Sequence, residues 1–357
     1  MKIIKPSVEI MNIENGPQKH IESIARTCYK SNDLITEDSH KRFIKSLVDR
    51  KHWAMLEHFI FIYEIPYPNN FYNSEILPFM SANVINLNLK YFRFTQIPIG
   101  NDKARFLISF SARSILDAIE YINNKKLALK DDDKYKLHID FLSNFFEQLV
   151  GQILIDYSSE ELFSGLNTSE NKIGFKKVTL DELNSYTDEE ILAHGWKSVK
   201  FICDRGVSHE IVRHRDASFA QESTRYCNYS KDKHSNELTI IEPLFYEKDS
   251  INYKFWLECM QKAEDNYIYL TDNGSTAQEA RSVLPNSLKT EIIMTARNHE
   301  WCHFFGLRCD IAAHPQMRQV AIPLYLKFIS DNNLYERYTP NKDSFQLEKG
   351  IPGESNE

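Results

Sequence analysis

Residues 59–65 read FIFIYEI, an unbroken run of aromatic and β-branched side chains with a single charge, and no other segment restricts the fold so tightly. A strand with one wet face alternates apolar and polar residues, whereas a continuous run belongs to a strand covered on both faces. This is a central strand. The residues before it supply helical cover: a short helix is expected around Glu22 to Tyr29, and Asp38 to Arg50 carries Phe43, Ile44, Leu47 and Val48 in one stripe. The class is α/β, a mixed β-sheet flanked by helices.

From Pro66 to about Gly195 the character changes. A Pro/Asn-rich connection (PYPNNFYNS) leads to short apolar stretches near Tyr91 to Thr95 and Phe106 to Phe110, and the charged run Asn123 to Lys134 is expected as a solvated loop. Leu137, Phe141, Phe145 and Leu149, with Leu142, Phe146, Val150 and Ile153 beside them, then form the face of a packing helix. Thr179-x-x-Glu182 and Thr187-x-x-Glu190 are capping boxes opening two short helices. Strand character returns at Ser198 to Cys203, and Asp204-Arg205-Gly206 leads into a helix expected to end in Arg213-His214-Arg215. Thr276 to Ile329 reads as three helices: Thr276-x-x-Glu279 opens the first and Pro285 stops it, Gly306 stops the second, and Pro315 stands in the first turn of the third. The tail after Asp331 is polar and expected at the periphery.

Composition excludes several classes. With 357 residues, 42% hydrophobic and 26% charged, the chain can build one or two cores. No apolar run approaches the eighteen or so residues that cross a bilayer, and Met1 to Gly16 lacks the apolar stretch of a signal peptide, so a cytoplasmic location is expected. A net charge of -7 argues against a broad nucleic-acid grip, which runs on a Lys/Arg surplus. Cys28, Cys203, Cys227, Cys259, Cys302 and Cys309 are scattered with no C-x-x-C pair, the pattern of reduced thiols rather than disulfides or structural zinc.

The chemistry concentrates between Glu210 and Arg225. Three arginines (Arg213, Arg215, Arg225), the Ser223 hydroxyl, Gln221 and Glu222 fall within thirteen residues, a set suited to a phosphate-bearing ligand, because guanidinium forks bind phosphate bidentately. On a helix, Glu210, Arg213 and His214 would share one face and Arg215 would point away. By charge alone, such a cluster is more often a surface salt-bridge network. Arg281 and Arg308 lie on segments otherwise committed to the core and need partners, a bound anion being the economical one. His52 and His58 flank Trp53-Ala-Met-Leu-Glu57, and His299 and His303 stand one helical turn apart without an evident third ligand, so no metal is expected. Cys302 and Cys309 read as packing thiols.

Arg213-His-Arg, seven residues, Ser223, then Arg225-Tyr226 resembles the R-H-R-x(7)-S signature of the flavin-dependent thymidylate synthases. Ala25-Arg-Thr-Cys28-Tyr29, His52 through Leu56-Glu57-His58, and Arg281-Ser-Val-Leu-Pro285 followed by Phe304-Phe-Gly-Leu-Arg308 agree with that family in order. The resemblance covers residues 20–65 and 196–330. It implies a discontinuous catalytic domain of 1–65 and 196–330, an insertion over 66–195, and a tail over 331–357.

It further implies reductive methylation of dUMP to dTMP, with methylenetetrahydrofolate as one-carbon donor, FAD as redox carrier and NADPH as reductant, in a homotetramer whose sites draw on more than one subunit. Arg308 would be the catalytic residue, contacting the pyrimidine and favouring its N3-ionised form. Glu210, Ile211, Val212, Arg213, Gln221, Glu222, Ser223, Thr224, Arg225 and Arg281 would bind the nucleotide. Arg213, His214, Arg215, Gln221, Arg297, His299 and His303 would face FAD, and His52 the folate and nicotinamide side. Ser223 is expected to bind nucleotide rather than to act as a nucleophile. The sequence departs from the family at Ala220-Gln221, where Asn-Glu is usual, at Glu210 in place of Gln, and at Arg297 and His303 in place of Asn. Two other readings of the same residues are a non-catalytic nucleotide- or RNA-binding protein and a metal-dependent nucleotide hydrolase using His52, His58, His299 and His303; flavin binding and chelator sensitivity separate them.

Overall fold

The computed structural model describes residues 1–13, 16–65, 92–100, 103–128, 136–229 and 237–347. The Pro/Asn-rich connection and Tyr91 lie outside them. Contacts divide the chain into two compact units: Met1–Asn12, Ile24–Asp33 and Lys197–Glu357 form one, Ile13–Ser23 and Leu34–Trp196 the other. Residues 34–65 thus group with 66–196, whereas the division expected from sequence sets them with 196–330.

The first unit is built on a four-stranded sheet, β2 (Ser7–Ile10), β7 (Trp196–Asp204), β10 (Lys289–Arg297) and β8 (Ala217–Gln221), hydrogen-bonded in that order. β2 runs antiparallel to β7, and β8 antiparallel to β10 with Ala217 opposite Ala296 and Gln221 opposite Ile292. A separate parallel pair joins β1 (Lys2–Ile4) to β9 (Thr239–Ile241). The helices are α7 (Arg205–Ile211), α8 (Ile251–Asp272), α9 (Ala277–Ala280), α10 (Asn298–Arg308), α11 (Pro315–Asp331) and α12 (Leu334–Tyr338). α10 buries Trp301, Phe304 and Phe305. Their rings meet Phe328 at 5.3 Å from Trp301, Tyr325 at 5.2 Å from Phe305, and Phe201 of β7 at 5.9 Å from Phe304. Each such burial contributes about 1.5–3 kcal/mol, so this packing fixes the helix that carries Glu300, His303 and Arg308.

Three expectations are corrected here. The Thr276 to Ile329 block is not all helical: β10 occupies Lys289–Arg297, where Thr290, Ile292, Ile293 and Thr295 favour the pleated sheet. Gly306 does not end α10, which runs on to Arg308; a Cβ at Gly306 would lie 2.5 Å from Pro340 Cγ and 3.0 Å from its carbonyl oxygen, so glycine here permits a close approach. The segment after Asp331 is not wholly peripheral, since Leu334, Tyr335 and Phe345 are buried and the Tyr335 hydroxyl donates to Asn298 Oδ1 at 2.8 Å. Pro315 opens α11 as its position implied.

The second unit holds an antiparallel sheet in the order β4 (Arg93–Gly100), β5 (Lys103–Ser111), β3 (Ile60–Ile65), β6 (Lys176–Lys177). FIFIYEI supplies β3, an interior strand buried at every residue except Glu64. Glu64 accepts the Tyr186 hydroxyl at 2.8 Å. α2 (Ser39–Asp49), α3 (Ala112–Ala128), α4 (Lys136–Tyr157), α5 (Leu180–Leu183) and α6 (Asp188–His194) belong to this unit, the last two opened by the expected capping boxes. α1 (Gly16–Thr27) passes from one unit into the other. The Asn123 to Lys134 run is not a loop over its first half: Asn123 to Ala128 continue α3 with exposed side chains, and 129–134 lie outside the described residues. All six cysteines are free. Among the described residues no helix is long and apolar enough to cross a membrane.

Candidate active site

Asp204 ends β7 and caps α7, its carboxylate accepting the Val207 N–H at 2.7 Å and the Gln316 amide at 2.8 Å. α7 stops at Ile211, so Arg213-His214-Arg215 does not lie on a helix as expected but on the turn before β8. The turn separates the three side chains. Arg213 and Arg215 are exposed and His214 is only 3% exposed.

His214 turns inward toward α10. Arg308 Nε donates to His214 Nε2 at 3.1 Å, while one terminal nitrogen donates to Glu210 Oε2 at 3.0 Å and the other to the Glu210 carbonyl at 2.9 Å. The expectation that Arg308 needs a bound anion as partner is corrected: its charge is already met by Glu210. Glu300 Oε1 stands 3.4 Å from His214 Nδ1, and the His303 ring centre lies 5.7 Å from that of His214. Burial, helped by Arg308 and His303, holds His214 below its ordinary value against the opposing pull of Glu300, so the ring is neutral near pH 7. Burial also lowers Arg308.

At the other end of β8, Gln221 Nε2 donates to Ser208 Oγ at 2.8 Å, and the Glu222 carboxylate is enclosed by Lys289 at 3.2 Å, Lys30 at 3.0 Å and the Tyr229 hydroxyl at 2.9 Å. Burial alone would raise the Glu222 carboxyl, but Lys289 and Lys30 outweigh it and hold it low. Lys289 also pairs with Glu291. The Ser223 N–H donates to the Cys28 carbonyl at 3.1 Å, joining the Ala25 to Tyr29 segment to this loop. The exposed Arg225 donates to Gln278 of α9 at 2.9 Å, one turn before Arg281. Arg281 itself is exposed rather than on a core segment. Among the described residues no base is bonded to the Ser223 hydroxyl, which accepts the Arg225 N–H at 3.3 Å. Thr224 is half-buried, Ile211 fully buried and Val212 exposed.

His52 is exposed at the start of a 3₁₀ turn in the second unit, where His58 is buried. His52 and His58 belong to the second unit and His299 and His303 to the first; among the described residues His214, Glu300 and His303 come together, with ligand atoms within 4.8 Å. Glu300, Lys30, Lys289 and Tyr229 are the site neighbours that sequence reasoning missed. Lys289 was hidden by reading β10 as helix. Glu300 had a signal, a carboxylate three residues before His303. Four of the cysteines are poor nucleophiles, since burial pushes Cys302 and Cys227 up to about 11 and Cys203 and Cys309 higher.

The family described as thymidylate synthase complementing protein matches residues 9–77 and 144–330. The chain belongs to this family. It is 33% identical over 165 residues to the flavin-dependent thymidylate synthase of Geobacter sulfurreducens, covering 45% of this chain and 68% of that one. It is 32% identical over 187 residues to the one of Pyrococcus furiosus, covering 51% and 74%. Likeness to a solved UMP/dUMP methylase, PolB from Streptomyces cacaoi, is slighter, with 11% identity and a TM-score of 0.37 over 95% of this chain and 96% of that one.

Membership of the family implies FAD. Arg213 and Arg215, exposed guanidiniums with no ion pair among the described residues, suit its diphosphate, and His303 is exposed with its ring against that of His214. Arg297 is 2% exposed and His299 half-buried.

Proposed function

We propose that this protein converts dUMP to dTMP by reductive methylation, taking the carbon from methylenetetrahydrofolate and the electrons from NADPH. One observation carries the reading: Arg308 is held at three points by Glu210 and His214, and two of its five N–H bonds are left for a ligand. A guanidinium fixed in this way sits ready where negative charge develops on the pyrimidine as N3 ionises and C5 becomes nucleophilic. Preorganisation matters because the donor need not reorient during the reaction. FAD, when bound, supplies the reduction that turns the transferred carbon into a methyl group.

The chain's own residues bind and orient. Arg225, Arg281 and the Ser223 hydroxyl take the nucleotide phosphate, while Arg213 and Arg215, on the opposite end of β8, serve the flavin. His52 serves the folate and nicotinamide side, in a homotetramer with shared sites. The segment 78–143, which lies outside the match to the family, is a structural elaboration on the periphery of that assembly.

The test is anaerobic: FAD-reconstituted protein is mixed with NADPH with and without dUMP, and the flavin absorbance band is followed. Bleaching accelerated by dUMP, with dTMP formed once methylenetetrahydrofolate is added, is the expected result. No flavin binding would leave a non-catalytic nucleotide-binding protein. Turnover of dUMP that a chelator abolishes and NADPH does not affect would point instead to a metal-dependent hydrolase at His214, Glu300 and His303.

A further inference from the structure

His214 has both ring nitrogens engaged, and its two partners dictate where its proton sits. Arg308 Nε, at 3.1 Å, has only a hydrogen to offer, so His214 Nε2 must carry a lone pair. A neutral imidazole with Nε2 bare holds its proton on Nδ1, and Nδ1 faces Glu300 Oε1. We propose that Glu300 is a positioning residue that fixes His214 in the Nδ1–H tautomer, so that His214 accepts from Arg308 and aims its guanidinium. This rests on the reading above that Arg308 meets the pyrimidine.

The neighbours fit the assignment. Arg308 and His303 add positive character around the ring, Arg213 adds to it at Arg308, and Glu300 and Glu210 are the carboxylates that pair with His214 and Arg308. A second proton on His214 would set N–H against N–H at Arg308. A metal ion on Nδ1 would do the same, because the metallated ring keeps its proton on Nε2, and it would add charge beside a guanidinium. The Arg308 hydrogen bond therefore selects a proton over a metal at the His214, Glu300 and His303 grouping.

The experiment records long-range 1H–15N correlations of the imidazoles in 15N-histidine-labelled flavin-loaded protein, for the parent, Glu300→Gln and Glu300→Ala, alongside kcat and KM for dUMP. The Nδ1–H tautomer is expected at His214 in the parent and in Glu300→Gln, whose amide oxygen still accepts. Glu300→Ala is expected to shift the ring toward Nε2–H and lower kcat roughly ten- to a hundred-fold, the usual scale for losing an orienting partner, with much of it restored in Glu300→Gln. An Nε2–H tautomer in the parent overturns the proposal whether or not the variants fold. So does Glu300→Ala with parental tautomer and kcat. Arg308→Ala is run in parallel: full turnover there removes the role of Arg308 and the predicted loss of kcat, while the tautomer is scored on its own.

Discussion

At the Ala217 end of β8 stand Glu210, His214, Glu300 and Arg308, and at the Gln221 end, roughly 14 Å along the strand, stand Glu222, Lys289, Lys30 and Tyr229. The first group sets three guanidiniums, Arg213, Arg215 and Arg308, against three carboxylates, Glu210, Glu300 and the exposed Asp216 of the same turn, and leaves Arg213 and Arg215 exposed without an ion pair among the described residues. The second sets Lys30 and Lys289 against Glu222 and Glu291 and buries Glu222 to 2% and Lys289 to 8% exposure. Charge that is matched and enclosed costs solvation and returns only geometry. Guanidiniums left exposed and unpaired at an open turn can take an anion. At the Gln221 end an enclosed cluster thus holds the loop that carries Ser223 and Arg225, whereas at the Ala217 end the charged side chains themselves are left open to a ligand.

Breaking the enclosed end has the larger effect on stability. Glu222→Gln leaves two lysines facing a neutral amide, and urea unfolding is expected to show a loss of about 3–5 kcal/mol. The pH dependence follows in sign. The Glu222 carboxyl is held low in the folded state, so its contribution is complete above the unfolded value of about 4.3 and disappears as pH falls through the folded one. Lys289 is raised by Glu222 and Glu291 against its burial, so its contribution is complete below about 10.4 and disappears as pH rises through the folded value. Glu222→Gln should flatten the acid limb; an unchanged limb would remove Glu222 from the account.

Breaking the open end is expected to cost activity instead. Arg308→Ala should lower turnover about 10²–10³-fold, the scale of a lost transition-state donor, with flavin retained and unfolding little changed. Comparable turnover in the parent and the variant would refute the role given to Arg308. At the Gln221 end but outside the enclosed cluster, Arg225→Ala should mainly raise the KM for dUMP, by about ten-fold or more, since a charge-assisted hydrogen bond contributes roughly 1.5–3 kcal/mol. A fall in kcat at unchanged KM would place Arg225 elsewhere.

How much of this the sequence disclosed depended on whether the signal was local. FIFIYEI announced an interior strand because burial on both faces leaves no alternation, and the capping boxes at Thr179 and Thr187 state their own hydrogen bonds. The Arg213 to Arg225 residues were legible because they stand close in sequence, but β8 sets Arg213 and Arg215 at one end and Arg225 beyond the other. β10 was not: caps and prolines on either side suggested helix, and four β-branched residues in nine were the only contrary sign. The ending of α7 at Ile211 was missed because turn residues 212–216 contain neither Gly nor Pro. Lys30 and Lys289 reach Glu222 from sequence positions 192 and 67 residues away, and only the tertiary fold sets that pairing.

The smallest effect separates the two ends most finely. A methyl group added at Gly306 meets Pro340, whose ring and carbonyl both stand within 3.0 Å of it, an overpacking of the kind that costs about 1–3 kcal/mol. Alanine also favours the helix over glycine by about 1 kcal/mol, so the net loss for Gly306→Ala is only about 0–2 kcal/mol. α10 relieves the clash by shifting, and α10 carries Glu300, His303 and Arg308 but neither Glu222 nor Lys289. Gly306→Ala should therefore lower kcat while leaving the acid limb of the unfolding profile as it is in the parent. A change in the acid limb with kcat intact would mean that the two ends of β8 are coupled through the sheet, and the division of labour drawn from their charge balance would not hold.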